Sequence, residues 1–181
     1  LDLTHAPLLE TAYLANMPLT KIDLSNNPLL RVLSLNWTQL QQIDLSHNAK
    51  IEDLRLNGTS VQTVDLSALT LLKMLYISEA KLTSLDLSQN PLLRRVRVGK
   101  NALTEVKLGT HQQLQELDVR SNKLSATAFQ EIVSALSPNS NATDRRLIAV
   151  DKSDPQEANV CTVTSVSDAK AKGWTVYDFN G

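Results

Sequence analysis

Apolar residues return along this chain every 21 positions, and from residue 20 to residue 124 the register holds without an insertion or deletion. TKIDLSNNPLLRVLSLNWTQL (20–40) lies over QQIDLSHNAKIEDLRLNGTSV (41–61), and the same spacing continues to EVKLGTHQQLQELDVRSNKL (105–124). The column Ala12, Leu33, Leu54, Leu75, Val96, Leu117 is separated by one variable residue from Leu14, Leu35, Leu56, Ile77, Val98, Val119. Alternation with period two is the mark of a half-buried strand, so each turn predicts one short strand, with equivalent strands stacked in parallel. About half a turn later a second pair recurs: Ile22 with Leu24, Ile43 with Leu45, Val64 with Leu66, Leu85 with Leu87, Val106 with Leu108. The chain therefore turns apolar residues inward on two opposite sides. The columns beginning at Leu9 and Leu19 fill the corners. One turn cannot bury such a face alone, whereas stacked turns share a continuous core.

The segment LQELDVRSNKL follows L-x-x-L-x-L-x-x-N-x-L and resembles a leucine-rich repeat over residues 1–124. The added D-L-S-x-N-P element, in IDLSNNP and LDLSQNP, resembles the 21-residue repeats of Bacteroidetes surface and secreted proteins, relatives of the internalin type. The resemblance implies an α/β fold: a right-handed solenoid of parallel short strands with a C-terminal α/β cap, in a protein placed at the cell surface or secreted. The family's asparagine column reads Met17, Thr38, Thr59, Ala80, Asn101, Asn122 here, so only the last two turns carry the amide that satisfies backbone groups after the strand. Threonine is expected to substitute in part, and the N-terminal turns to be looser.

Past Leu124 the period changes. Phe129, Ile132, Val133 and Leu136 fall at helical spacing after a capping Ser125 or Thr127, predicting an amphipathic helix over the open end of the core. A strand is expected at 146–150, an irregular polar stretch at 152–164, a short helix in VSDAKAKG stopped by Gly173, and a closing strand in WTVYDF. Two regions result, a repeat solenoid over 1–124 and a cap over 125–181. Leu1 already sits in mid-turn with nothing to shield the core's first edge, so further chain is expected upstream.

Composition narrows the chemistry. A net charge of −1 with both signs interspersed gives no basic face for nucleic acid. No apolar run reaches membrane-spanning length. Cys161 is the single cysteine, so no disulfide framework exists, and its expected role is that of a small buried hydrophobe. Asp2, Asp23, Asp44, Asp65 and Asp86 recur at about 4.8 Å, strand spacing, near the carboxylate separation of retaining glycosidases. Each lies between inward aliphatics on an even surface, so the expected partners are the serines two residues on. His5 and His47 lie two rungs apart, too far to share a metal. Asp44, Ser46 and His47 are expected to point to alternating sides and not to meet as a relay. No catalytic residues, cofactor or metal site is predicted. The sequons at Asn36, Asn57 and Asn141 are read as by-products of the repeat or as unmodified.

What remains is the face the strands present. Its central column is Tyr13, Ser34, Arg55, Tyr76, Arg97, Asp118, flanked by Thr11, Val32, Asp53, Met74, Arg95, Glu116, with Trp37 just past the strand edge. Tyrosine, tryptophan and arginine dominate binding hot spots. The expected function is non-catalytic recognition of a protein ligand through this concave strand face, in adhesion or host interaction, by Tyr13, Val32, Trp37, Arg55, Met74, Tyr76, Arg95, Arg97 and Asp118. The alternative is a glycan ligand held by Trp37, Tyr13 and Tyr76.

Overall fold

The structure is a computed structural model that describes residues 1–138 and 144–178; the sequon at Asn141 and the end of WTVYDF lie outside the described residues. The three-residue strands β1 (Thr11–Tyr13), β2 (Val32–Ser34), β3 (Asp53–Arg55) and β4 (Met74–Tyr76) pair in parallel in exact 21-residue register. On the opposite side β5 (Ser84–Asp86) pairs with β7 (Glu105–Lys107), while β6 (Arg95–Arg97) and β8 (Glu116–Asp118) continue the main sheet. The result is an eight-stranded all-parallel sheet, completed by two strands of the cap, and a two-stranded sheet at its back.

Every middle residue of the main strands is buried, from Ala12 at 5% exposure to Leu33, Leu54, Leu75, Val96 and Leu117 at 0%. The first turn is less buried, with Leu3, Leu9, Leu14 and Leu19 half-buried and Leu8 79% exposed, whereas the next turns lacking the amide bury Leu33, Leu35, Leu54 and Leu56 completely.

Each turn leaves the sheet through a residue in the left-handed region: Asn16, Trp37, Gly58, Glu79, Lys100 and Ser121 have φ between 52° and 65°. Bulky residues rarely adopt this conformation, and here the cross-turn ladder holds it. Trp37 N–H donates to Asn57 O (2.7 Å), Gly58 N–H to Ser78 O (2.9 Å) and Lys100 N–H to Arg120 O (2.9 Å).

Two internal ladders close the carbonyls that such turns expose. In the expected column, Thr38 Oγ1 donates to Leu35 O and Thr59 Oγ1 to Leu56 O, so threonine does replace part of the amide's work. Asn122 does more: its Nδ2 donates to Val98 O and Val119 O, and its Oδ1 accepts Leu103 N–H. Asn159, in the polar stretch of the cap, extends this column by donating to Val119 O and Ala149 O and accepting Leu124 N–H. The second ladder is Asn27, Asn48 and Asn90, all fully buried, each amide donating to two carbonyls of the turn before. His111 occupies the next position of that column, 3% exposed, and burial holds its imidazole below the usual histidine range.

Turn spacing tightens at Gly109, where an added Cβ would lie 2.7 Å from Ser88 O and 2.9 Å from Ser88 Cα. Both are backbone atoms of the neighbouring turn and cannot rotate away. Gly109→Ala is expected to lower the unfolding free energy by about 1–3 kcal/mol, the usual cost of overpacking, read from the urea midpoint.

The cap is formed by α1 (Ala126–Ala135), β9 (Arg146–Val150), α2 (Val163–Ala171) and β10 (Thr175–Asp178). Ser125 caps α1 by accepting Ala128 N–H, and Phe129, Ile132 and Val133 are its buried face. The second helix begins earlier than the sequence suggests, because Thr162 caps it by accepting Ser165 N–H; Gly173, at φ 82°, follows its end. Strand β9 pairs with β8, and β10 with β9, both in parallel, so the cap prolongs the main sheet. Cys161 is half-buried where the sequence suggested full burial.

Candidate functional site

The outward residues of β1, β2, β3, β4, β6 and β8 form a grid of rungs about 4.8 Å apart. Its relief differs from a plain solvated surface. Asp53, Glu116 and Asp118 are buried, at 4%, 7% and 3% exposure, although they occupy outward positions. Arginines cover them. Arg55 closes a two-point contact on Asp53, Nε to Oδ1 at 2.9 Å and Nη2 to Oδ2 at 2.7 Å. Arg97 Nε donates to Glu116 Oε1, and Arg120 Nη2 lies 3.2 Å from Asp118 Oδ2.

Tyr76 sits between two of these arginines, with the Arg55 and Arg97 guanidinium carbons 5.4 and 5.7 Å from its ring centroid. Its hydroxyl contacts Met74 Sδ at 3.7 Å. Asp53, Arg55, Tyr76, Arg97 and Glu116 thus make one interlocked strip across four rungs. The strip fixes side chains that would otherwise lose rotamer freedom on binding. Val32 and Met74 are half-buried beside it, Arg95 is exposed, and among the described residues Arg95 makes no ion pair. Tyr13, 68% exposed, stands apart on the first rung.

Trp37 is 53% exposed, and its indole lies directly over Gly58: a Cβ there would fall 2.0 Å from Trp37 Cε3. Gly58 therefore supplies both the left-handed turn and the room beneath the ring. The asparagines of the first two sequons are structural, since Asn36 Oδ1 accepts Asn57 N–H and Asn57 Oδ1 accepts Ser78 N–H.

Burial pushes the Asp118 carboxyl up to about 6, with Arg120 and then Arg97 opposing and Glu116 adding to the rise. From about pH 4 the unfolded chain releases this proton while the folded chain keeps it to about pH 6, so stability falls as pH rises through that window. The loss amounts to about 2–3 kcal/mol, and Asp118→Asn is expected to flatten it in urea unfolding curves taken at pH 4, 5, 6 and 7. The exposed aspartates act oppositely: the hydroxyls and then the backbone N–H groups of Ser25, Ser67 and Ser88 hold Asp23, Asp65 and Asp86 below the usual range, Asp86 at about 2, and the N–H and then the hydroxyl of Ser46 do the same for Asp44, so their contribution fades only as pH drops below about 4.

The aspartate column is thus engaged with the serines two residues on, as expected, Ser25 N–H to Asp23 Oδ1 at 2.9 Å being typical. One expectation needs correcting: Ser46 Oγ does meet His47 Nδ1, at 3.0 Å, because 46–47 is a turn and not a strand. The hydroxyl stands between carboxylate and imidazole, all three groups are exposed, and the order is not that of a nucleophilic relay. Among the described residues no three His, Cys, Asp or Glu side chains are placed to share a metal, and no helix is long and apolar enough to cross a membrane.

Fold and face together define a leucine-rich repeat solenoid. Its architecture is that of internalin-like leucine-rich repeat proteins. The functional domain of InlJ from Listeria monocytogenes, described as including a cysteine ladder, is 25% identical with a TM-score of 0.60, matched over 94% of this chain and 39% of that one. A leucine-rich repeat protein of Leptospira interrogans is 16% identical with a TM-score of 0.62, over 97% of this chain and 50% of that one. This chain therefore spans half or less of each. With one cysteine, it has no cysteine ladder. No protein-family model matches the sequence, and no curated protein matches it.

Proposed function

We propose that this protein is a non-catalytic recognition module that binds a protein ligand on the face of its main sheet, at a cell surface or in secretion. The observation that carries the reading is the locked strip around Tyr76, where large, half-exposed Arg and Tyr side chains are held by buried carboxylates before any ligand arrives. Preorganised side chains of these types are what hot spots use. The surface or secreted placement, and a role in adhesion or host contact, rest on the likeness to internalin-type repeats.

A second reading has its own support: the Trp37 indole over Gly58 offers a flat apolar platform of the kind on which a sugar ring stacks. The test is a binding comparison on a panel of matrix and serum proteins and a panel of polysaccharides. It uses wild type, Trp37→Ala, and a variant with Arg55→Ala, Tyr76→Ala and Arg97→Ala. The last also carries Asp53→Asn and Glu116→Gln, so that no buried carboxylate is left unpaired. The expected result is a protein hit weakened about 100-fold or more by the combined variant, given hot-spot costs of 2 kcal/mol and upward per residue. A polysaccharide hit lost in Trp37→Ala would transfer the function to the second reading.

A further inference from the structure

The strand face is layered by charge. Its three carboxylates, on Asp53, Glu116 and Asp118, have side chains only 6%, 9% and 4% exposed, while the Arg55, Arg97 and Arg120 side chains above them are 38%, 49% and 29% exposed. Arg95 adds a further exposed guanidinium. A ligand approaching this face meets N–H donors first and the acids only beneath them. Arg55 commits Nε and Nη2 to Asp53, and Arg97 commits Nε to Glu116, so each fork is aimed by its carboxylate and keeps N–H groups for an incoming anion.

The spacing of the two forks restricts that anion further. Arg55 and Arg97 stand two rungs apart in the sheet order β3, β4, β6, on either side of Tyr76, which sets their spacing at about 10 Å. Arg55 lies on β3 and Arg97 on β6, so a ligand chain lying along one strand would meet Arg55 alone or Arg97 with Arg95; only a chain crossing the rungs meets both Arg55 and Arg97. In a β-conformation, side chains on one face recur at about 6.7 or 13 Å, and neither matches. In a polyproline-II conformation every third side chain faces the same way after a rise of about 9.3 Å, which does.

Resting on the strand-face reading above, we infer that the partner segment is an acidic peptide in polyproline-II conformation. It crosses the rungs with two Asp or Glu side chains three residues apart, one on Arg55 and one on Arg97, over Tyr76. Proline at the two intervening positions is compatible with this geometry, since no strand pairing with the sheet is used.

The test is selection of a displayed random 12-residue peptide library on the intact protein. The same selection is run on the Asp53→Asn, Arg55→Gln, Arg97→Gln, Glu116→Gln variant, whose thermal melt is checked first. The quadruple variant keeps Tyr76 and leaves no buried charge unpaired. The expected outcome is enrichment of acidic pairs three residues apart on wild type, with at least tenfold weaker binding of those peptides to the variant. Acidic pairs at spacing two or four, neutral or basic sequences, equal recovery on the variant, or no enrichment would each overturn the inference. So would arginine-dependent binding of an acidic oligosaccharide in place of peptides. If a panel protein still docks on the strand face while the selection yields no acidic pair, recognition through that face stands and only its acidic specificity fails.

Discussion

Asn122→Ala is expected to lower the unfolding free energy by about 2–4 kcal/mol, because one truncation leaves Leu103 N–H without its acceptor in a fully buried site and takes one of two side-chain donors from Val98 O and from Val119 O, which keep Asn101 and Asn159. The lost contacts are Nδ2 to Val98 O at 3.0 Å, to Val119 O at 2.8 Å and to Arg120 O at 3.2 Å, and Leu103 N–H to Oδ1 at 3.0 Å. Asn122→Thr should cost less, since Thr38 and Thr59 already close one carbonyl each at the equivalent positions of earlier turns. The urea midpoint measures both. A loss below about 1 kcal/mol for the alanine variant would mean that water replaces the amide and that the ladder is not what holds adjacent turns together.

Arg145→Ala is expected to cost about 3–4 kcal/mol and to loosen the cap first. The side chain is 1% exposed, donates from Nη1 to Ser137 O at 2.7 Å and from Nη2 to Gln112 O at 3.0 Å, and lies 5.2 Å from the Trp174 ring. It therefore ties the segment after α1, the last repeat turn and the approach to β10. Burial lowers its guanidinium from the ordinary value, so the arginine is held at an electrostatic cost. Arg145→Met, which keeps much of the volume without the charge, should accordingly lose less than the alanine variant. Hydrogen exchange should show the added opening in 146–150 and 175–178 before the strands of the middle turns. Uniform loss of protection along the chain would contradict the tie.

The core was legible because its columns are aliphatic at fixed spacing, and burial depends on little beyond apolarity and period. The polar interior was less so. Asn27, Asn48 and Asn90 stand in a segment that reads as a turn former, and only their shared column, interrupted by Leu69, hinted that amides line the interior there. Asn159 lies beyond the repeat, where no period points to it. The left-handed column was hidden because Trp37, Glu79 and Lys100 are not residues that favour that conformation; the ladder imposes it. At the face, the sequence placed Arg55, Tyr76 and Arg97 in one column and Asp53 and Glu116 beside it. It could not show that the acids would sink beneath the arginines, because depth on a sheet depends on which neighbours fold over which.

The central claim is that the main sheet, and not the back of the solenoid, meets the ligand. Two variants measured against the same bound protein test it most directly. One carries Arg55→Ala, Tyr76→Ala and Arg97→Ala with Asp53→Asn and Glu116→Gln. The other carries Gln42→Ala, Thr63→Ala and Glu105→Ala, exposed positions on the opposite side. The predicted result is a loss of about 100-fold or more in the first and less than about threefold in the second. The reverse order would place recognition on the back of the solenoid and contradict the account.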